Sequence, residues 1–185
     1  MATQSDPMIE TRGDVIANPF SGERIVIRRH GCDTGGRILE FDLYLPPGTH
    51  VPAGHVHPGQ EERFTVLEGR MQFRLGRRHF EAVPGDTVVV PPRTGHWFGN
   101  VGDGVAHARV EARPALRLEE MFAATAAMGT HTRFGGLPRL TELIVVLHEY
   151  RQEVGTPGVA GRLLGTLLAP AAWILRNRPG SHGSR

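Results

Sequence analysis

The chain has 185 residues, 39% of them hydrophobic, which is enough for one domain of ordinary size with an extension. The net charge is only +2, and because all 21 basic residues are arginine, a Schiff base on a lysine is excluded. The single cysteine, Cys32, excludes an intrachain disulfide and a Cys-rich zinc site, and the scattered basic residues argue against nucleic-acid binding.

Residues 1–14 are predicted to be disordered, and residues 15–114 to form one domain of short antiparallel strands separated by turns. Seven or eight strands at this spacing are typical of a sandwich or barrel. The strand candidates are 23–30, 37–45, 62–69, 70–76, 87–91, 96–101 and 106–112.

For some strands the sequence also predicts which face is buried or which strand is the pairing partner. Alternation in residues 37–45 places Leu39, Phe41 and Leu43 on one face of a strand and the polar residues on the other. Residues 62–69 and 70–76 follow each other directly, so we predict that they pair as a hairpin.

Residues 115–178 are rich in Ala and Leu and are predicted to form an α-helical C-terminal extension, with a tail at 179–185. The helix candidates are 115–129, 136–155 and 159–178. Arginines flank the apolar run 163–175, a pattern that suits peripheral contact with a membrane surface. Packing against protein, most simply in a homodimer, is the favoured alternative because it removes the same apolar area from water.

The segment "HVHPGQEE" at residues 55–62 is the main candidate site. In a strand His55 and His57 point to the same side, and Glu62 can return to that point after the intervening turn. Imidazole and carboxylate donors suit one divalent transition metal, namely Fe, Mn, Ni, Cu or Zn. A polar loop in a histidine-rich chain is the alternative, and Glu61 is the next-best carboxylate.

A second segment, residues 85–100, strengthens the metal interpretation. Together the two segments resemble the paired motifs of the cupin superfamily, over about residues 20–112. The first motif is matched by Gly48, His55, His57, Glu62 and Gly69, and the second by Gly85, Pro91, His96 and Asn100. Arg93 stands where the family usually has glycine, which affects a corner of the barrel and not a ligand.

The resemblance to small single-domain bacterial cupins implies a mostly β fold, an antiparallel double-stranded β-helix (jelly-roll) barrel. It also implies that His55, His57, Glu62 and His96 are the metal ligands. Cupins with these ligands include dioxygenases, isomerases, lyases and non-catalytic sensors. We therefore expect a metalloenzyme acting on a small organic substrate, with oxygen-dependent oxidation as the leading reaction. A metal-containing sensor or binding module and a metal-dependent isomerase or lyase are the alternatives.

The surroundings of the metal are predicted less sharply. Alternation places the apolar side chains Phe64, Met71, Phe73 and Phe98 near the ligands, although a role in the barrel core suits them equally. Tyr44, Gln60 and Asn100 are the polar candidates for the surroundings of the metal, although a turn suits Asn100 and the surface suits Tyr44 equally. Spacing assigns no catalytic acid or base. The polar N-terminus and the lack of a long apolar run predict a cytoplasmic protein.

Overall fold

The computed structural model describes residues 14–18, 22–51, 54–129 and 140–157. This part of the chain is mostly β, with two antiparallel sheets followed by two helices. The strands are β1 Val15–Ala17, β2 Arg24–Arg29, β3 Leu39–Leu45, β4 Glu61–Glu68, β5 Met71–Leu75, β6 Arg78–Ala82, β7 Thr87–Val90, β8 His96–Asn100 and β9 Ala106–Arg113. The helices are α1 Leu118–Gly129 and α2 Leu140–Glu149.

The larger sheet has six strands in the order β1-β2-β3-β9-β4-β7. Its register places Phe41 beside Val110 and Val110 beside Phe64, so apolar residues from three strands form one continuous inner face. The predicted alternation of residues 37–45 is confirmed, since Leu39 and Phe41 lie in the core. Glu62, at the start of β4, belongs to the same inner face as Phe64 because the two are two residues apart.

The smaller sheet has three strands in the order β6-β5-β8, and it corrects one prediction. Residues 62–69 and 70–76 do not form a hairpin, because β4 pairs with β7 and β9 whereas β5 pairs with β6 and β8. Gly69, with φ 76°, turns the chain between the sheets, and a Cβ there would lie 2.8 Å from the Cα of Ala106. Only glycine allows that approach. The hairpin partner of β5 is β6, a pairing that we did not predict from the sequence.

The core lies between the two sheets. Phe64 and Phe73 belong to opposite sheets, and their ring centroids lie 5.4 Å apart in an edge-to-face arrangement. Both are almost fully buried. Burying a side chain of this size stabilises the fold by roughly 2–3 kcal/mol.

Helix α1 packs on the barrel, since Phe122 contacts Phe41 edge to face at 5.2 Å and Leu118 is fully buried. Glu119 and Glu120 lie in its first turn, where the helix dipole favours negative charge. Helix α2 ends at Glu149, earlier than the predicted 155, and residues 150–157 form a turn that leads back to the barrel. In the described ranges no helix is long and apolar enough to cross a membrane, and the predicted third helix, 159–178, lies outside them.

Candidate metal centre

Three elements bring the four predicted ligands together. Glu62 is the second residue of β4, and His96 is the first residue of β8. The segment before β4 runs antiparallel to β8, because His55 and His96 exchange backbone hydrogen bonds of 3.0 and 2.9 Å. His57 follows two residues later, so its side chain points to the same side as that of His55.

The four side chains converge on one point. One ligand atom from each of His55, His57, Glu62 and His96 lies within 4.8 Å of the others. The Oε2 atom of Glu62 lies 3.2 Å from the Nε2 of His57 and 3.1 Å from the Nε2 of His96. His57, Glu62 and His96 are buried, whereas His55 is half-buried and marks the side nearest to solvent.

Three atoms in this cluster test whether a metal fits. The Nε2 atoms of His57 and His96 and the Oε2 of Glu62 are buried, and among the described residues none of them has a hydrogen-bond partner. Unpaired buried polar atoms are costly, so natural structures keep few of them without a reason. A divalent cation among these atoms would provide each with a partner, and three imidazoles with one carboxylate suit a transition metal.

The other ring nitrogens orient the histidines for such a role. The Nδ1 of His57 donates to the backbone carbonyl of Glu153 at 2.5 Å, and the Nδ1 of His96 donates to that of Thr94 at 3.1 Å. A carbonyl can only accept, so in the neutral rings the proton resides on Nδ1 and the Nε2 lone pair faces the cluster. A hydrogen bond from the distal nitrogen is the usual companion of a metal-binding histidine.

Burial and mutual attraction set the charges of the cluster. Burial alone would raise the pKa of Glu62, but the adjacent His57 and His96 hold it well below its usual value. Burial works against protonation of His57, but the negative charge of Glu62 outweighs it and raises the pKa of His57. The carboxylate is therefore ionised and ready to bind a cation, while protons compete with a metal at His57.

Four apolar residues predicted near the metal fall into two groups. Phe64, Met71 and Phe73 are almost fully buried and belong to the hydrophobic core. Phe98 belongs to the same core but also reaches the ligands, with its ring centroid 6.4 Å from those of both His55 and His96. The cluster therefore rests on an aromatic floor.

Two polar candidates hold backbone turns. Gln60 is fully buried, and its Nε2 donates to the carbonyls of Pro114 and Ala115 at 2.7 and 3.1 Å. Asn100 donates to the carbonyls of Leu45 and Gly104 at 2.8 and 2.7 Å. Each side chain joins segments that are distant in the sequence, and Asn100 also closes the loop to Gly104. Both roles are structural.

Tyr44 lies on the outer face of β3, opposite to the core residues Leu43 and Leu45. Its ring stacks on His107 at 4.3 Å, and the guanidinium of Arg24 lies 4.4 Å above it. Glu61, the alternative carboxylate, is not part of the cluster and lies 3.8 Å from Arg63.

Two residues that support the site, Arg93 and Glu153, were marked only weakly in the sequence or not at all. Arg93 has a left-handed φ of 65°, which explains why glycine is usual at this corner, and its N–H donates to the carbonyl of His57 at 2.8 Å. The sequence marked Arg93 as a departure from the motif. Nothing in the sequence pointed to Glu153, which lies 96 residues from His57 along the chain.

A second group of ligand-capable residues lies elsewhere on the barrel. Asp14, His30 and Glu119 offer atoms within 4.8 Å of one another, but Asp14 is exposed and the other two are half-buried. The Nδ1 of His30 lies 2.8 Å from Glu119, so this pair already has a role in holding α1 against the end of β2.

Comparison with known proteins agrees with this geometry. A family model described as "Cupin domain" matches residues 41–110. Over 58 residues the chain is 40% identical to an uncharacterized protein of Methanocaldococcus jannaschii. That match covers 29% of this chain and 46% of the relative, so the chain spans about half the length of this curated protein.

Solved structures of other proteins are similar to this chain. A predicted oxalate decarboxylase from Thermotoga maritima superposes with a TM-score of 0.50 at 20% identity, covering 57% of this chain and 94% of that chain. A sugar phosphate isomerase of the cupin superfamily from Silicibacter pomeroyi gives a TM-score of 0.45 at 26% identity, covering 51% of this chain and 61% of that chain. The two-sheet barrel of this chain, which contains the matched residues 41–110, has the cupin fold and is followed by two helices.

Proposed function

We propose that this cupin binds one divalent transition metal ion through His55, His57, Glu62 and His96. The observation that carries the proposal is the set of three buried ligand atoms, on His57, Glu62 and His96, without hydrogen-bond partners among the described residues. They face one another across about 3 Å. An arrangement of this kind loses stability unless something fills it.

A metal bound there would supply a Lewis acid and, if it is redox-active, a site for oxygen chemistry. Other residues of the chain orient the ligands and form the surroundings of the site. The carbonyls of Glu153 and Thr94 orient two imidazoles, and Phe98 makes the floor apolar. His55, the most exposed of the four, marks the side from which a substrate approaches.

We propose oxygen-dependent oxidation of a small aromatic or enolic substrate, as in a dioxygenase, as the leading reaction. An aromatic floor favours such a substrate over a sugar phosphate, which would require several cationic side chains. A metal-dependent isomerase or lyase would use the same ligands as a Lewis-acid site. The catalytic acid or base, if the reaction uses one, is not assigned.

A metal-containing sensor or small-molecule binding module is the second candidate. It is favoured by the contact between His57 and Glu153, because this contact links the cluster to the helical extension. A sensor needs such a connection between its site and a separate element.

Metal analysis of protein purified without added metal, followed by oxygen uptake with small aromatic and enolic compounds, tests these proposals. Iron with substrate-dependent uptake supports the oxidation. A firmly bound metal without turnover over a broad panel favours the sensor. Wild-type protein that neither contains nor takes up a divalent transition metal would contradict both.

We further propose that the protein acts as a cytoplasmic homodimer and that residues 159–178 pack against protein. Burial of six apolar side chains of that segment would remove apolar surface worth on the order of 10 kcal/mol before entropy costs. They are Leu163, Leu164, Leu167, Leu168, Trp173 and Ile174. Deleting 159–185 should lower solubility or convert a dimer to a monomer in analytical ultracentrifugation. Truncation that abolishes sedimentation with anionic vesicles while leaving the oligomeric state unchanged would instead support membrane contact.

A further inference from the structure

The turn that follows α2, residues 150–157, lies directly against the four proposed metal ligands. We call it the docking turn. Gly155 and Val56 exchange two backbone hydrogen bonds of 2.9 Å each, forming an isolated antiparallel bridge. Val56 stands between His55 and His57, so this bridge attaches the extension to the backbone between two ligands.

A second contact reaches a ligand side chain. The carbonyl of Glu153 accepts the hydrogen bond from Nδ1 of His57. The Glu153 side chain is itself buried, and its Oε1 accepts from the backbone N–H of Arg117 at the start of α1. The carbonyl that orients His57 is therefore held in place from the helical side of the molecule.

A third contact lies beside His96. Gly95 packs so closely against Pro157 that a Cβ added to Gly95 would lie 3.1 Å from the Cβ of Pro157. At its other end the docking turn is anchored by Tyr150, which is buried in the core and lies under the guanidinium of Arg117 at 4.9 Å. Both segments that supply the imidazoles, 54–57 and the start of β8, thus touch the same turn.

We infer that the docking turn is a positioning element of the metal centre, so that metal binding and docking of the helical extension stabilise each other. This inference rests on the proposed metal function. The docked turn keeps the proton of His57 on Nδ1 and its Nε2 aimed at the cluster. By linkage, a metal that requires this ring orientation favours the docked state by the same factor by which docking favours the metal. Contacts of this kind change metal affinity by roughly 10- to 100-fold.

Gly155→Pro tests the inference, with Gly155→Ala as its matched comparison. Proline removes the N–H that donates to Val56, whereas alanine keeps it and places its Cβ 3.6 Å from Val56 Cγ1, an ordinary contact. Zn²⁺ affinity, measured by competition with a chromophoric chelator, should fall at least about tenfold more in Gly155→Pro than in Gly155→Ala. Equal affinities in the two folded variants would overturn the inference.

A metal-free measurement separates positioning from general stability. Long-range ¹H–¹⁵N NMR of the imidazoles should show His57 protonated on Nδ1 in the wild type and in Gly155→Ala. Gly155→Pro should show a mixture of tautomers. The same single tautomer in all three proteins would contradict a positioning role.

Hydrogen exchange on the wild type covers the case in which Gly155→Pro does not fold. Zn²⁺ should slow exchange of the Gly155 and Val56 amides, and His55→Ala, which lacks a ligand, should lose this effect. Unchanged exchange in Zn²⁺-bound wild type would overturn the linkage while leaving the metal function standing. No Zn²⁺ binding by the wild type would overturn the proposed function and the linkage with it.

Discussion

Two buried carboxylates on opposite faces of the large sheet differ in how they are paired. Asp42 is fully buried on the outer face, where one of its oxygens accepts from Arg28 and the other from Arg109, both at 2.5 Å. Glu62 is buried on the inner face, where its Oε2 lies beside two imidazoles and has no hydrogen-bond partner in the part of the chain that the structure describes. Burial of a charge therefore does not by itself mark a functional site.

The two carboxylates differ in whether other groups of the protein satisfy their hydrogen bonds. Two guanidinium groups satisfy both oxygens of Asp42, so this carboxylate needs no ligand, although His107 Nε2, 3.3 Å from its Oδ1, has no hydrogen-bond partner among the described residues. Around Glu62 two imidazole nitrogens and one carboxylate oxygen turn their lone pairs towards one another, an arrangement that suits a cation. The inner group therefore suits the proposed metal, whereas the outer group holds β3 to its neighbours β2 and β9.

The largest expected effect concerns the inner group. His57→Ala removes one of four ligands, so metal affinity should fall by more than the roughly 100-fold that an outer contact can contribute. His79→Ala, at an exposed histidine of β6, is the control and should retain the wild-type metal content. Metal analysis after dialysis against a weak chelator measures both, and equal content in the two variants would refute the ligand assignment.

Asp42→Asn should have its main effect on stability. It leaves Arg28 and Arg109 without their shared anion, and we expect a loss of about 3 kcal/mol in the free energy of unfolding, since both guanidiniums are partly exposed. Urea denaturation measures this, with the exposed Asp103→Asn as control. Metal content per folded protein should not change, and a loss of metal would show that the two groups are coupled.

Acidification should affect the two groups in different pH ranges. The pKa of His57 is raised above its usual 6.5, so protons displace the metal as the pH falls through that higher value, by about tenfold in affinity per pH unit. Burial opposes ionisation of Asp42, but His107, Arg109 and Arg28 hold its pKa well below the usual 3.8. Its stabilisation is therefore present above 3.8 and is lost only as the pH falls towards that low pKa.

Metal release and thermal melting as functions of pH measure these two ranges. The apparent metal affinity should fall as the pH drops through the raised pKa of His57, while the melting temperature of metal-free protein should keep the contribution of Asp42 until strongly acidic pH. In Asp42→Asn the acidic part of the melting profile should flatten. An apparent metal affinity that does not fall as the pH drops below 6.5 would contradict the competition at His57.

The smallest effect concerns Arg93, whose N–H donates to the backbone of His57. Its φ of 65° is strained for a residue with a Cβ, so Arg93→Gly should stabilise the protein by about 0.5–1 kcal/mol. Arg93→Ala keeps the Cβ and should gain nothing by this route. Thermal unfolding of the two variants distinguishes them, and an equal shift in both would show that the side chain, and not the backbone, sets the effect.

Much of the fold followed from local pattern. The alternation of residues 37–45 identified the core face of β3, because in a strand side chains alternate between faces. The hairpin of 62–69 with 70–76 was wrong, because adjacency in sequence does not decide which sheet a strand joins. Close packing of Gly69 against Ala106, far along the chain, sends β5 into the other sheet.

The sequence by itself determined which residues can bind a metal, because ligand chemistry resides in side chains and the spacing of His55, His57 and Glu62 follows strand geometry. It also determined the cupin type of barrel, through two motifs whose glycines and prolines dictate local turns. Tertiary structure alone decided that Asp42 is paired with arginines, that His107 stacks on Tyr44, and that the docking turn reaches His57. Those contacts join residues up to 96 positions apart, and no local preference encodes a pairing at that distance.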